Sequence, residues 1–158
     1  MNNADVVVIG GGPACCSTAI GLSRLGYNVT LCDQAKFPRD KVCGEFISPA
    51  ADPILDRLGI LSRIETLTPK RLKGVSISSY EGKEFAIDYP LQSKLAERPT
   101  SLSVSRYELD SLFIEEAKRV GVEVREQCKV TEFLFEDNCI IGTCLLYTSP
   151  SPRDGLLS

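Results

Sequence analysis

The run Val6-Val7-Val8-Ile9 entering Gly10-Gly11-Gly12-Pro13-Ala14-Cys15 limits what this chain can fold into more than any other stretch. Consecutive β-branched apolar residues predict a short strand buried on both faces, and the glycines end it abruptly. A helical pattern follows at once, from about Pro13 to Leu25, with Ala14, Ile20 and Leu25 among its apolar positions and Gly26 as its stop. A G-x-G-x-x-G spacing is weak evidence alone and gains meaning between a strand and a helix.

The residue types answer to one chemistry. Gly10 lets the chain turn sharply out of the strand, and Gly12, lacking a Cβ, lets a pyrophosphate approach the backbone. Pro13 suits the first helical position, where a missing N–H is no loss. The remaining N–H groups of the Pro13-Ala14-Cys15 turn and the positive end of the helix dipole then face phosphate. A second run, Asn28 to Cys32, predicts the next parallel strand. It stops at Asp33, about twenty residues past the glycines, where a carboxylate can accept ribose hydroxyls. These features predict a dinucleotide-binding α/β unit. One position departs from the pattern: the third glycine, which permits close helix-to-strand packing, is Cys15. A thiol there must widen the contact or rotate away, at about 1–3 kcal/mol.

Composition narrows the class. With 158 residues, 43% of them hydrophobic, the chain can bury a real core. A net charge of −3 and the lack of any basic stripe argue against a nucleic-acid partner. Residues 2–5 are polar or acidic apart from Ala4, unlike a secretory signal. No apolar run approaches the roughly 18 residues of a membrane span. A cytoplasmic location is expected, with peripheral membrane contact left open. Seven cysteines are scattered without C-x-x-C spacing, and there is no histidine. Zinc sites and histidine-activated nucleophiles are thereby disfavoured, no metal is expected, and catalysis must come from a bound cofactor.

Beyond Asp33, the segment from Gln34 to Pro49 has no clear periodicity and reads as a long irregular loop of the kind that carries function. It contains Phe37-Pro38-Arg39-Asp40-Lys41-Val42-Cys43-Gly44-Glu45-Phe46. A short helix opened by Asp52-Pro53 follows, with Ile54, Leu55, Leu58 and Leu61 on its apolar face and Gly59 near its end. From Leu72 to Tyr89 the period becomes two, and Glu81-Gly82-Lys83 turns an antiparallel hairpin. Its aromatic residues suit either a core or a pocket. Residues 91–100 read as a polar return connection. Ser105-Arg106-Tyr107-Glu108 has capping-box spacing, and Leu109, Leu112, Phe113, Ala117 and Val120 form a helical stripe ended by Gly121. Val122 to Val124 then predicts a parallel strand, so this helix is a crossover. Residues 129–142 suggest two more strands around Glu136-Asp137-Asn138.

Gly10-Gly11-Gly12-Pro13-Ala14, the acid ending the second strand, and Phe-Pro-Arg-x-Lys-x-Cys-Gly-Glu together resemble the amino-terminal part of the geranylgeranyl reductase family of FAD-dependent oxidoreductases. That family is a branch of the group sharing the para-hydroxybenzoate hydroxylase fold. Cys43-Gly44-Glu45 is the discriminating piece, since related flavin halogenases differ there. The resemblance implies a Rossmann-type FAD-binding domain, a parallel sheet with crossover helices, with an inserted antiparallel hairpin from a substrate domain. The expected division is 1–68 and 100–143 for an incomplete FAD-binding domain and 69–99 for the start of the substrate-domain sheet. It implies that Cys43, Gly44 and the backbone of Phe46 pass beside the flavin, that Arg106 reaches over the cofactor, and that the backbone at Val130 meets the adenine. An incidental thiol at Cys43 and a solvated Arg106 are the alternatives, although a first-turn arginine opposes the helix dipole.

From Cys144 onward the residues back-translate to a transposon-end sequencing adapter, so 144–158 is expected to be a non-native tail on a truncated gene. The whole protein is expected to be an FAD-dependent oxidoreductase reducing C=C bonds of an isoprenoid-like or other apolar small molecule, with NAD(P)H a candidate electron donor. Cys43 is the candidate for proton chemistry near the flavin, and no catalytic residue is assigned with certainty. The alternatives are an FAD and NAD(P)H-dependent monooxygenase, an NAD(P)-binding dehydrogenase, and a truncated nucleotide-binding module without turnover. The fragment itself is expected to be inactive and to bind FAD poorly.

Overall fold

The computed structural model describes residues 4–89 and 100–147. In chain order the elements are β1 (Val6–Ile9), α1 (Pro13–Arg24), β2 (Val29–Cys32), β3 (Phe46–Ile47), α2 (Asp52–Arg57), α3 (Leu61–Thr66), β4 (Lys70–Leu72), β5 (Gly74–Ser78), β6 (Glu84–Asp88), β7 (Ser101–Ser103), α4 (Arg106–Arg119), β8 (Glu123–Arg125), β9 (Cys128–Glu136) and β10 (Cys139–Tyr147). They pack as two compact units, one from Met1–Arg39 with Phe113–Ser158, the other from Asp40–Leu112.

The first unit is built on a parallel sheet in the order β1-β2-β8. Val6 pairs with Val29 and Ile9 with Cys32, while Thr30 pairs with Glu123 and Cys32 with Arg125. All of β2 is buried, as its central place requires. In β1, by contrast, Val7 and Ile9 are 39% and 45% exposed, which corrects the expectation of a strand buried on both faces. Half-buried Val6 and Val8 alternate with exposed Val7 and Ile9, so one face of β1 is covered and the other is open.

Helix α1 stops as read, with Leu25 as C-cap and Gly26 at φ +92°. Its buried face is Cys16, Ala19 and Ile20; Ala14 and Leu25, read as apolar-face positions, are exposed. The carboxyl half of α4 adds Phe113, Ile114 and Ala117 to this core. Glu116, on the same buried side, receives Arg24 Nη2 at 2.8 Å and Arg119 Nη2 at 2.7 Å, tying α4 to the end of α1. Ser23 Oγ adds a hydrogen bond to the Val120 carbonyl at 2.8 Å. Cys32 and Cys128 are buried partners, and burial, with Cys128 beside it, pushes the Cys32 thiol up to about 11. Strands β9 and β10 form an antiparallel hairpin turned at Asp137 and Asn138, both with positive φ as a tight hairpin turn demands. Its pairing continues to Tyr147 opposite Cys128, with a register shift between Cys144 and Leu145. Residues 148–158 lie outside the described residues.

The second unit holds the three-stranded sheet β3-β7-β4 and the separate hairpin β5-β6. The hairpin forms as the alternation required, with Val75 opposite Ile87 and Ile77 opposite Phe85, and Gly82 at φ +80° in the turn. Those four apolar residues are all exposed. The expected helix from Asp52 is two short ones: Gly59, at φ +74°, ends α2, and α3 begins after it. Leu55, Ile60 and Ile64 are buried, whereas Ile54 is exposed. Buried Asp52 accepts Arg71 Nη1 at 2.7 Å, and Arg71 Nη2 reaches Glu65 at 3.0 Å. Ser105 opens α4: its carbonyl accepts the Leu109 N–H at 2.9 Å and its Oγ accepts the Glu108 N–H at 3.3 Å. Ser105 Oγ also donates to Glu108 Oε2 at 3.0 Å, so the capping pair closes through its side chains. The polar connection read over 91–100 lies, apart from Thr100, outside the described residues. No described helix is long and apolar enough to cross a membrane.

Candidate functional site

The glycine turn is shaped by three separate constraints. Gly10 has φ +109°, a conformation that side chains avoid, and its N–H donates to the Cys32 carbonyl at 2.8 Å. Gly11 is buried, and its glycine identity is a matter of space. A Cβ there would lie 2.6 Å from Cζ of Phe37 and 3.1 Å from Oδ2 of Asp33. Gly12 is the N-cap of α1, in extended conformation, followed by Pro13 at N1. No side chain caps this helix and no acid occupies its first turn, so its positive end is open to an anion. Cys15, in place of the third glycine, directs its thiol to the Ile9 carbonyl at 3.4 Å, and Gly10 leaves the room for it. The Cys15 side chain is thus accommodated by rotation toward the strand.

Asp33 lies beside this turn. Its Oδ2 accepts the Gly11 N–H at 2.5 Å and its Oδ1 accepts the Ala35 N–H at 2.7 Å. A carboxylate has roughly four lone-pair positions, so two bonds to the backbone leave acceptor capacity for hydroxyl groups. The Asp33 carbonyl in turn accepts the Cys128 N–H at 2.8 Å, which ties the start of β9 to the same corner. Val130 follows two residues along β9, half-buried and paired with Leu145.

In the second unit, Cys43 and Gly44 are exposed, and Phe46 opens β3, paired with Ser103 of β7. The Glu45 carbonyl accepts the Val104 N–H at 3.3 Å, and Glu45 itself has φ +51°. Arg106 is the first residue of α4, and its Nε and Nη2 grip Asp110 Oδ1 and Oδ2 at 2.7 and 2.9 Å. Asp110 is fully buried one turn along the helix and pushes the guanidinium pKa up. Hydrogen bonds from the Glu45 backbone, and then from Arg106, hold the Cys43 thiol below the usual thiol range. The structure therefore brings together Gly10, Gly11, Cys15 and Asp33 in one unit and Cys43 and Arg106 in the other.

Asp110 is a site residue not expected from the sequence, although its place four residues after Arg106 was the available signal. Phe37, whose ring faces Gly11, is another, and no local signal for it exists. Among the described residues no cluster of metal-ligating side chains occurs.

A family profile described as "FAD binding domain" matches residues 3–145. The menaquinone reductase of Mycolicibacterium smegmatis is 38% identical over 143 residues, which are 90% of this chain and 34% of that protein. The tryptophan 2-halogenase of Chondromyces crocatus is 31% identical over 135 residues, 85% of this chain and 25% of that protein. Among solved structures, the myxobacterial chondrochloren halogenase CndH is similar with a TM-score of 0.81 at 26% identity, over 90% of this chain and 32% of that one. The chain thus spans between a quarter and about a third of the length of these relatives. The geranylgeranyl reductase resemblance is met at the level of the wider FAD family, in which the relatives are named for menaquinone reduction and for halogenation.

Proposed function

Because the chain belongs to the FAD binding domain family, we propose that its first unit grips the adenosine diphosphate end of FAD and that the whole protein is an FAD-dependent oxidoreductase. The observation that carries this reading is the uncapped, acid-free start of α1 beside Gly10 and Gly11, with Asp33 bonded to the Gly11 N–H. Those residues fit the group: the helix end attracts diphosphate and Asp33 retains capacity for ribose hydroxyls. Val130 is the candidate backbone contact for adenine. Cys43, Gly44, Phe46 and Arg106 are the candidates for the flavin end.

When bound, FAD supplies the hydride. The free N–H groups at the start of α1, from Gly12, Ala14 and Cys15, and the helix dipole orient the diphosphate, while Gly10 shapes the turn, Pro13 sets the first helical residue and Asp33 fixes the sugar. The Glu45 backbone first, and then Arg106, itself held by Asp110, favour negative charge on Cys43 Sγ, so this atom holds a proton that exchanges more readily than an ordinary thiol proton.

For substrate, the reading is a C=C bond of an isoprenoid-like or other apolar molecule, with NAD(P)H as donor. It is supported by the similarity to a menaquinone reductase and by Cys43-Gly44-Glu45. A cytoplasmic protein touching a membrane peripherally would suit such a substrate. A second reading, monooxygenase or halogenase chemistry, is favoured by the likeness to CndH. Anaerobic turnover of the full-length protein with NAD(P)H and a polyprenyl substrate supports the first, and obligatory oxygen uptake coupled to product formation supports the second. The same reading takes 69–99 as the start of the substrate-domain sheet and 144–158 as foreign to the gene. Amplifying genomic DNA across the Thr143 codon tests the latter.

A further inference from the structure

A Cβ at Gly11 would lie 2.6 Å from Cζ of Phe37, so the ring must move to admit one, and the Phe37 backbone is held by a residue far away in sequence. The Phe37 N–H donates to Glu126 Oε2 at 2.9 Å, while Glu126 Oε1 accepts Lys118 Nζ of α4 at 2.7 Å. The next two residues complete a strap: the Gln127 N–H bonds the Ala35 carbonyl at 3.0 Å and the Cys128 N–H bonds the Asp33 carbonyl at 2.8 Å. The 33–37 segment is thus fastened on one side to residues 126–128 and presses on the other against the glycine turn through Phe37 and Asp33. Gly11 lies outside the positive-φ glycines, so what a side chain there would meet is this pressure and not backbone strain.

We infer that Glu126 is a positioning residue for the nucleotide end of the cofactor: by fixing the Phe37 backbone it sets the ring against Gly11 and so the shape of the turn that receives the diphosphate. A lone surface glutamate on a β-strand connection would have no such effect. Burial alone would raise its carboxyl pKa, but the Lys118 ion pair and the Phe37 N–H outweigh this and hold it low, so the acceptor is charged at neutral pH. Phe37 acts through Gly11 in the same device. The inference rests on the FAD reading of this unit.

The test uses the full-length protein with FAD and, as a second probe, ADP. Glu126→Ala removes a hydrogen bond to a charged group and is expected to weaken FAD binding about tenfold, with ADP weakened by the same factor. Glu126→Gln keeps a carbonyl acceptor for the Phe37 N–H and recovers most of that loss. Gly11→Ala is expected to weaken both probes about tenfold in the native background and less than about threefold further in Phe37→Ala, since the two positions are in contact. Unchanged FAD affinity in Glu126→Ala, FAD loss without ADP loss, failure of Gln to recover binding, or independent Gly11 and Phe37 effects would each overturn the inference. Should Glu126→Ala not fold, Glu126→Gln and the Gly11/Phe37 pair still decide it. If the native protein binds neither probe, the FAD reading itself fails, which is a different result.

Discussion

Replacing Asp33 by alanine probes the corner on which the nucleotide reading turns. The carboxylate accepts two backbone N–H groups, at 2.5 and 2.7 Å. Hydrogen bonds to a charged group contribute about 1.5–3 kcal/mol each, and a buried donor left without a partner costs about 1–3 kcal/mol. Gly11 is buried, so its N–H loses its partner outright, whereas half-buried Ala35 can turn to water. Asp33→Ala should therefore destabilise the apoprotein by about 2–4 kcal/mol. Asp33→Asn keeps one acceptor oxygen but presents an amide N–H₂ to the other N–H, so its loss should be about half as large. Urea unfolding of the full-length apoprotein, followed by far-UV circular dichroism with unchanged m-values, reads these differences. FAD affinity should fall with both variants, further for alanine. Apoprotein stability equal to native in Asp33→Ala would refute the reasoning, because it would mean the Gly11 N–H never depended on this carboxylate.

Three more outcomes follow from the geometry. Alkylation of Cys43 should accelerate at a pH below that of an ordinary thiol, and Arg106→Met should move the midpoint upward; an unmoved profile would remove Arg106 from that site. Glu116, whose carboxyl the neighbouring Arg119 holds low against burial, with Arg24 adding to the effect, contributes stability present above the unfolded carboxylate pKa and lost as pH falls through its lower folded value. Glu116→Gln should cost about 2 kcal/mol at pH 7, since its arginine partners are partly solvated, and should flatten the acid limb of a stability–pH curve. Residues 1–143 expressed alone should retain no stoichiometric flavin after desalting; a yellow protein would show that the first third of the relatives' length suffices.

What could be read in the sequence was what local pattern encodes. The β1 run, the Gly10 turn, Pro13 at N1, the Gly26 stop and the Ser105–Glu108 pair are each decided within a few residues, and each is seen. The parallel placement of β8 followed from the crossover rule applied to α4. The hairpin at 74–88 followed from its alternation. Periodicity marks a residue as apolar but says nothing about what covers it, so the exposure of Val7, Ile9 and the β5-β6 face was illegible. The same holds for polar residues: Glu126 meets Phe37 across 89 positions and Arg24 meets Glu116 across 92, and no local signal announces either. Gly11 shows the difference most plainly. As one of three consecutive glycines it was easy to see, but the ring that a side chain there would displace lies 26 residues on, and only the folded chain brings it there.

The hold of Asp33 and the α1 turn on the nucleotide is read most directly by titrating ADP into the full-length apoprotein, native and Asp33→Ala in parallel, by calorimetry. The native protein should bind ADP saturably and one-to-one, displaced by FAD and weakened at least tenfold by the substitution, as the loss of about 1.4 kcal/mol or more requires. No heat from ADP, or equal affinity in both proteins, would contradict that hold.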